Sequence, residues 1–160
     1  MIYDVLDVAR YIINYSNEKG YEISNLKLQK ILYFVQAYFL YLDKEKPCFY
    51  EAIEAWDFGP VVPEVYREYK QYGSGNIPTV KSYIKYSHGN YWNAKKFSFE
   101  DRNIQQEDKI KINKMVDALS KYSATDLVTI THNQNPWRDA YKPFLNNKIS
   151  NESLWEYFHE

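Results

Sequence analysis

The chain has few of the residues that covalent chemistry and cofactor binding require. Its 160 residues include a single cysteine, Cys48, which excludes an internal disulfide and a cysteine-rich metal site. The five glycines are scattered at positions 20, 59, 73, 75 and 89, so neither a phosphate-binding glycine loop nor a dinucleotide fingerprint is present. His88, His132 and His159 have no other histidine or cysteine at metal-ligand spacing. The sequence therefore predicts a protein that is not an enzyme and has no metal or cofactor.

Long hydrophobic runs and an excess of either charge are also missing. The longest apolar stretch, residues 31–42, is interrupted by Gln36, whereas a membrane span needs about 20 apolar residues. The N-terminal residues show neither a basic stretch nor a cleavable apolar segment. Lys and Arg number 20 and Asp and Glu 21, and this formal charge of -1 disfavours a protein whose main partner is nucleic acid. We expect a soluble, cytoplasmic protein, and the single cysteine agrees with a reducing compartment.

Aromatic residues, in contrast, are abundant. The chain has 17 Tyr, 8 Phe and 4 Trp, which together make 18% of the residues. Tyrosine and tryptophan combine an apolar body with a polar tip and are frequent hot-spot residues in protein–protein interfaces. A genome of low GC content that encodes tyrosine freely is the alternative explanation of this composition. The length favours one domain, spanning residues 1–160.

The spacing of apolar residues predicts a mainly α fold: a single compact domain of six or seven helices with at most a small β-hairpin or short strands. The clearest helices are expected at residues 4–19, 24–43 and 104–122. The second of these is apolar nearly all round, which is typical of a central helix. Pro63 marks the start of another helix that ends at Gly73. Its expected buried stripe consists of Val62, Val65, Tyr66, Tyr69 and Tyr72.

The remaining elements are shorter. Residues 51–58 alternate in the manner of a strand, which Gly59 and Pro60 are expected to end. Residues 80–99 indicate a small hairpin with its turn at residues 88–90. A capping box at Ser123 opens a short helix, and further helices are expected to begin near residues 135 and 150.

Two stretches and a C-terminal pattern carry a resemblance to a known family. They are residues 28–38, LQKILYFVQAY, residues 54–66, EAWDFGPVVPEVY, and residues 131–137, THNQNPW. The chain resembles the SocA-like antitoxin family, also called the Panacea domain, over residues 4–158. The resemblance implies a helical antitoxin of a bacterial or prophage type II toxin–antitoxin pair. It also implies that the partner is a cognate toxin from the adjacent gene, neutralised by direct protein contact.

Within these motifs we distinguish residues that define the fold from residues that contact a toxin. The expected fold-defining residues are Trp56, Gly59, Pro60, His132, Pro136 and Trp137. The expected toxin-binding residues are Tyr33, Tyr38, Asp57, Phe58 and Tyr66, bordering one groove between the second and third helices. For Tyr33 and Tyr66, a place in the core is an equally good interpretation.

Two other functions remain open from the sequence. A DNA-binding repressor of its own operon is suggested by Lys109, Lys111 and Lys114, although acidic residues share their helix. A small hydrolase would use His132 with a carboxylate, either Asp57 or Asp126. The alternative for this histidine is structural, since an imidazole at a helix end binds the last carbonyls and complements the helix dipole.

Overall fold

Seven α-helices and two small antiparallel sheets make up the part of the chain that the structure describes. This computed structural model describes residues 1–87 and 90–159, except for the side chains of residues 86, 87 and 90–93. The helices are α1 (Val5–Lys19), α2 (Asn25–Leu42), α3 (Pro63–Tyr69), α4 (Gln106–Leu119), α5 (Ala124–His132), α6 (Asn135–Ala140) and α7 (Asn151–Phe158). The strands are β1 (Ile53–Trp56), β2 (Gly59–Val61), β3 (Ser82–Ser87), β4 (Asn90–Ser98) and β5 (Lys148–Ile149). The predicted mainly α, single compact domain is confirmed.

Helix α2 is the central element, as its apolar sequence predicts. It begins after Ser24, whose side chain accepts a hydrogen bond from the backbone N–H of Lys27. Helices α1, α3, α4, α5 and α7 and strand β2 all pack against it. Helix α1 is capped by Asp4 and ends at Gly20, which has a φ of 77°. No described helix combines the length and the apolar content needed to cross a membrane.

The first sheet has the strand order β2-β1-β5. Trp56 pairs with Gly59, so Asp57 and Phe58 form a two-residue turn between β1 and β2. The prediction that Gly59 and Pro60 end the extended segment is wrong, because both residues lie in β2. Gly59 has a φ of 105°, a conformation that glycine adopts readily, and this lets the chain reverse direction between β1 and β2. Strand β5 pairs with β1 and was not predicted, since two residues carry no detectable pattern.

Helix α3 begins at Pro63, as predicted, and continues as a 3-10 turn over Lys70–Tyr72. Val62, Val65 and Tyr69 are buried. The prediction that Tyr66 belongs to the buried stripe is wrong: its side chain is 37% exposed. The reason is that its ring meets the Trp56 ring edge-on at 5.1 Å, at the rim of the β1–β2 hairpin instead of in the core.

The second sheet is the predicted hairpin, with β3 antiparallel to β4. Its base is fastened to α1 by Asn14, whose side chain accepts from the Val80 N–H at 2.7 Å and donates to the Val80 carbonyl at 2.9 Å. Of the predicted turn at residues 88–90, residues 88 and 89 lie outside the described part of the chain. The predicted capping box is present in α5, formed by Ser123 and Asp126.

Candidate functional site

The residues expected to define the fold meet where β1, β2, α5 and α6 come together. The indole Nε1 of Trp137 donates to the Trp56 carbonyl at 2.8 Å, which ties α6 to the end of β1. The Trp137 ring stacks on His132, with ring centroids 4.0 Å apart, and on Tyr141, with centroids 4.5 Å apart. Pro136 is buried in the first turn of α6. These contacts hold the Asp57–Phe58 turn in place.

A buried lysine lies beneath the turn. Lys30 of α2 is 0% exposed, and its Nζ donates to the Pro60 carbonyl at 3.0 Å. Burial lowers the pKa of Lys30 to about 7. A Cβ built on Gly59 would lie 2.7 Å from Lys30 Cε and 3.0 Å from Thr131 Oγ1. Glycine is therefore required at position 59 both by its φ and by the close approach of Lys30.

Sequence reasoning did not single out Lys30 as a buried residue. A lysine between apolar residues of a helix normally reaches solvent with its long side chain. Only its position within the 28–38 motif distinguishes it from the other lysines of the chain.

His132 lies at the C-terminal end of α5 and belongs to this packed cluster. Burial lowers the pKa of His132; the backbone of Asp57 opposes this shift, and the positive charge of Lys30 adds to it. Its Nε2 is buried and has no hydrogen-bond partner among the described residues. The Asp57 carboxylate accepts from the Tyr141 hydroxyl instead, and the Asp126 carboxylate accepts from the Ser123 N–H. The structure therefore lends no support to a hydrolase that pairs His132 with either carboxylate.

Next to this cluster, an aromatic groove opens to solvent around a cavity of about 290 Å³. Three of the five residues expected to contact a toxin line it: Asp57, Phe58 and Tyr66. Its other lining residues are Leu26, Gln29, Ala55, Trp56, Val61, Tyr141, Phe144, Leu145 and Asn146. Phe58 is 67% exposed and Phe144 is fully exposed, so two large apolar side chains at the groove are exposed to solvent.

The other two expected contact residues lie elsewhere. Tyr33 is fully buried and donates its hydroxyl hydrogen to Gln134 Oε1 at 2.7 Å, so the core interpretation holds for it. Tyr38 packs against α4, where Lys114 Nζ lies 5.7 Å from its ring centroid. The structure thus does not bring these two residues into the groove.

One wall of the groove was missed in the sequence. Tyr141, Phe144 and Leu145 lie in the segment between α6 and β5, where no apolar periodicity marks them. Phe144 has a φ of 64°, which is uncommon for a residue other than glycine. This backbone conformation and the full exposure of its ring distinguish Phe144 in the structure.

Two of the three lysines that suggested DNA binding by α4 form ion pairs within the molecule. Lys109 pairs with Asp101 at 3.4 Å, and Lys111 pairs with Asp108 at 3.3 Å. Helix α4 therefore presents charges of both signs instead of a continuous basic face.

The side-chain chemistry of the described residues is sparse. Within residues 1–87 and 90–159, no group of three or more His, Cys, Asp or Glu is arranged to hold a metal ion. Cys48 is buried, and burial raises the pKa of its thiol.

Comparison with known proteins shows the family to which the chain belongs. The family model described as "Antitoxin SocA-like, Panacea domain" matches residues 28–138, more than half of the chain. The chain belongs to the SocA-like antitoxin family. "Antitoxin SocA" of Caulobacter vibrioides (strain NA1000 / CB15N) is 45% identical over 64 residues, which is 40% of this chain and 34% of that protein. The alignment thus spans about a third of the length of this relative. No solved structure matches the chain.

The family model matches only part of the candidate site. The matched range contains Lys30, Gly59, His132 and Trp137, whereas the Tyr141–Leu145 wall of the groove lies outside it. The support beneath the turn therefore belongs to the Panacea domain, while part of the exposed groove lies beyond the range that the family model matches.

Proposed function

We propose that this antitoxin neutralises a cognate toxin by binding it directly through the aromatic groove. The observation that carries this proposal is the pair of exposed rings, Phe58 and Phe144, at the same cavity. Exposed apolar side chains that cluster around a concavity are typical of interaction sites. The resemblance suggests that the toxin is the product of the adjacent gene.

The groove is suited to binding without rearrangement. The Asp57–Phe58 turn is held by the hydrogen bond from Trp137 to Trp56, and the Asp57 carboxylate by the Tyr141 hydroxyl. A preorganised surface loses less conformational entropy on association than a mobile one. Aromatic anchors at the centre of an interface also contribute most of the binding energy.

The composition of the groove indicates the toxin surface that it would receive. Its lining is mainly apolar and aromatic, and Asp57 supplies a negative charge at its edge. We expect the toxin to insert one or two apolar side chains, with a hydrogen-bond donor or a cation facing Asp57. Together with the surface around it, such a site is compatible with a standard interface of about 1,600 Å².

The test is co-expression with the product of the adjacent gene. The toxin alone should arrest growth, and the wild-type antitoxin should restore growth and co-purify with the toxin. Phe58→Ala combined with Phe144→Ala should weaken binding by about 700-fold, and either single variant by about 30-fold, since each ring is expected to contribute about 2 kcal/mol. Because both rings are exposed, the free energy of unfolding should change by less than about 1 kcal/mol.

Tyr50→Ala is the matched control, because Tyr50 is 72% exposed and does not line the groove. It should leave neutralisation unchanged. Full rescue of growth by the folded Phe58 and Phe144 double variant would exclude the groove as the binding surface. Failure of the wild-type chain to bind or to rescue would argue against direct neutralisation of this toxin.

A further inference from the structure

A segment that begins at the end of α3 carries a concentrated positive charge. Residues 69–99 contain five lysines and no aspartate or glutamate. The rest of the chain holds 15 Lys and Arg against 21 Asp and Glu, a formal charge of -6. The formal charge of -1 is therefore the sum of a strongly basic segment and an acidic remainder of the chain.

Four of these lysines lie on β3 and β4 or at the base of the hairpin; we call residues 81–87 and 90–98 the basic arm. The register places Lys85 directly opposite Lys95, and Lys96 opposite Ile84. Lys81, Lys85, Lys95 and Lys96 are all exposed. None of them forms an ion pair with a carboxylate among the described residues.

The acidic residues that follow the arm do not neutralise it. Glu100 pairs with Arg102, and Asp101 pairs with Lys109 of α4. Like charges directly opposite each other on a sheet face destabilise the pairing of the strands. A two-stranded sheet is in any case only marginally stable by itself. The Lys85–Lys95 pair therefore weakens the arm in isolation and favours an anionic partner.

We infer that the basic arm binds the phosphate backbone of duplex DNA. Lysine ammonium groups act as point charges toward phosphate, and the major groove of B-DNA is wide enough to admit a two-stranded β-ribbon. The arm has no arginine, and lysine is depleted at protein–protein interfaces whereas arginine is enriched. These features favour nucleic acid over an acidic protein surface.

The attachment of the arm agrees with this role. Asn14 holds the backbone of Val80, and the Arg10 guanidinium lies 3.5 Å from the centroid of the Tyr83 ring. These contacts fix the base of the hairpin, so Lys85 and Lys95 are presented beyond it. The arm shares no residue with the aromatic groove, so DNA binding does not compete for the proposed toxin site.

Fluorescence anisotropy with a labelled duplex of about 30 base pairs, in KCl from about 50 to about 200 mM, tests the inference. We expect wild-type binding that weakens by about two orders of magnitude across this range, corresponding to about four phosphate contacts. Lys85→Ser with Lys95→Ser should lower the slope of log K against log salt by about 2 and weaken binding at least about tenfold at low salt.

Lys46→Ser with Lys142→Ser is the matched control, because it removes the same charge from exposed positions outside the arm. It should leave the salt slope unchanged. An equal effect of both double variants, or no measurable binding by the wild type, would overturn the inference. If the Lys85 and Lys95 double variant loses toxin neutralisation but binds DNA as the wild type does, the arm binds a protein and not DNA. Self-association of the arm variant with unchanged DNA binding would instead show that the lysines protect exposed strand edges.

Discussion

Gly59 is the residue on which the geometry of the groove depends. Its φ of 105° disfavours any side chain, and a Cβ there would lie 2.7 Å from Lys30 Cε. We expect Gly59→Ala to lower the free energy of unfolding by roughly 2–4 kcal/mol, because backbone strain and steric overlap add. Chemical denaturation measures this change.

Gly20 provides a matched control for the steric part of this cost. Its φ is 77°, and nothing lies within 4 Å of a Cβ built on it. Gly20→Ala should therefore cost only about 1 kcal/mol, the strain of the left-handed conformation. Equal losses in the two variants would show that the close approach of Lys30 does not constrain position 59.

Among the site residues, those in regular local patterns could be predicted from the sequence. The alternation of residues 51–58 indicates the extended segment that carries Asp57 and Phe58, but Gly59 and Pro60 suggest a turn two residues too late, because the turn is set by the pairing of Trp56 with Gly59. Tyr66 occupies an apolar position of α3, yet its exposure depends on where Trp56 lies. Lys30 has no local signal, because only the arrangement of β2 and α5 around α2 encloses its side chain.

At the scale of elements, the helices could be predicted because their capping and periodicity are local. Ser24, Ser123 and Ser150 cap α2, α5 and α7. Strand β5 could not be predicted, because its two residues become a strand only by pairing with β1. The 141–147 segment, which forms a wall of the groove, likewise takes its position from tertiary contacts and not from its own pattern.

The attachment of the basic arm gives a prediction at this same scale. The side-chain amide of Asn14 makes both hydrogen bonds to Val80 that join the hairpin base to α1. Asn14→Ala leaves two part-buried backbone groups without these partners, at a cost of about 1–3 kcal/mol. We expect hydrogen exchange of the arm amides to accelerate, while protection of α2 falls less, because the arm opens before the whole domain unfolds.

Asn133→Ala is the control for this experiment, since the Asn133 side chain donates to the Thr129 carbonyl on its own helix and to no other group among the described residues. It should leave exchange in the arm unchanged. Unaltered protection of the arm in Asn14→Ala would show that the contact of Arg10 with the Tyr83 ring suffices to fix it.

At the scale of the whole molecule, the buried Lys30 links folding to proton binding. Its pKa is lowered to about 7 in the folded protein, from an ordinary value of 10.5. Between these values the unfolded chain binds a proton that the folded chain does not, so stability rises with pH. Below pH ~7 both states carry the charge, and the folded state bears the full cost of burying it.

We therefore expect this group to raise the free energy of unfolding by about 2 kcal/mol between pH ~7 and ~9. Above pH ~10 the trend reverses, because burial raises the pKa of Tyr33 and the folded state resists its ionisation. Lys30→Met should abolish the rise, whereas Lys46→Met, at an exposed position, should retain it. Urea unfolding at each pH gives the slopes directly. An unchanged slope in Lys30→Met would mean that Lys30 keeps its proton in the folded protein throughout this range, with its charge stabilised by the carbonyl of Pro60.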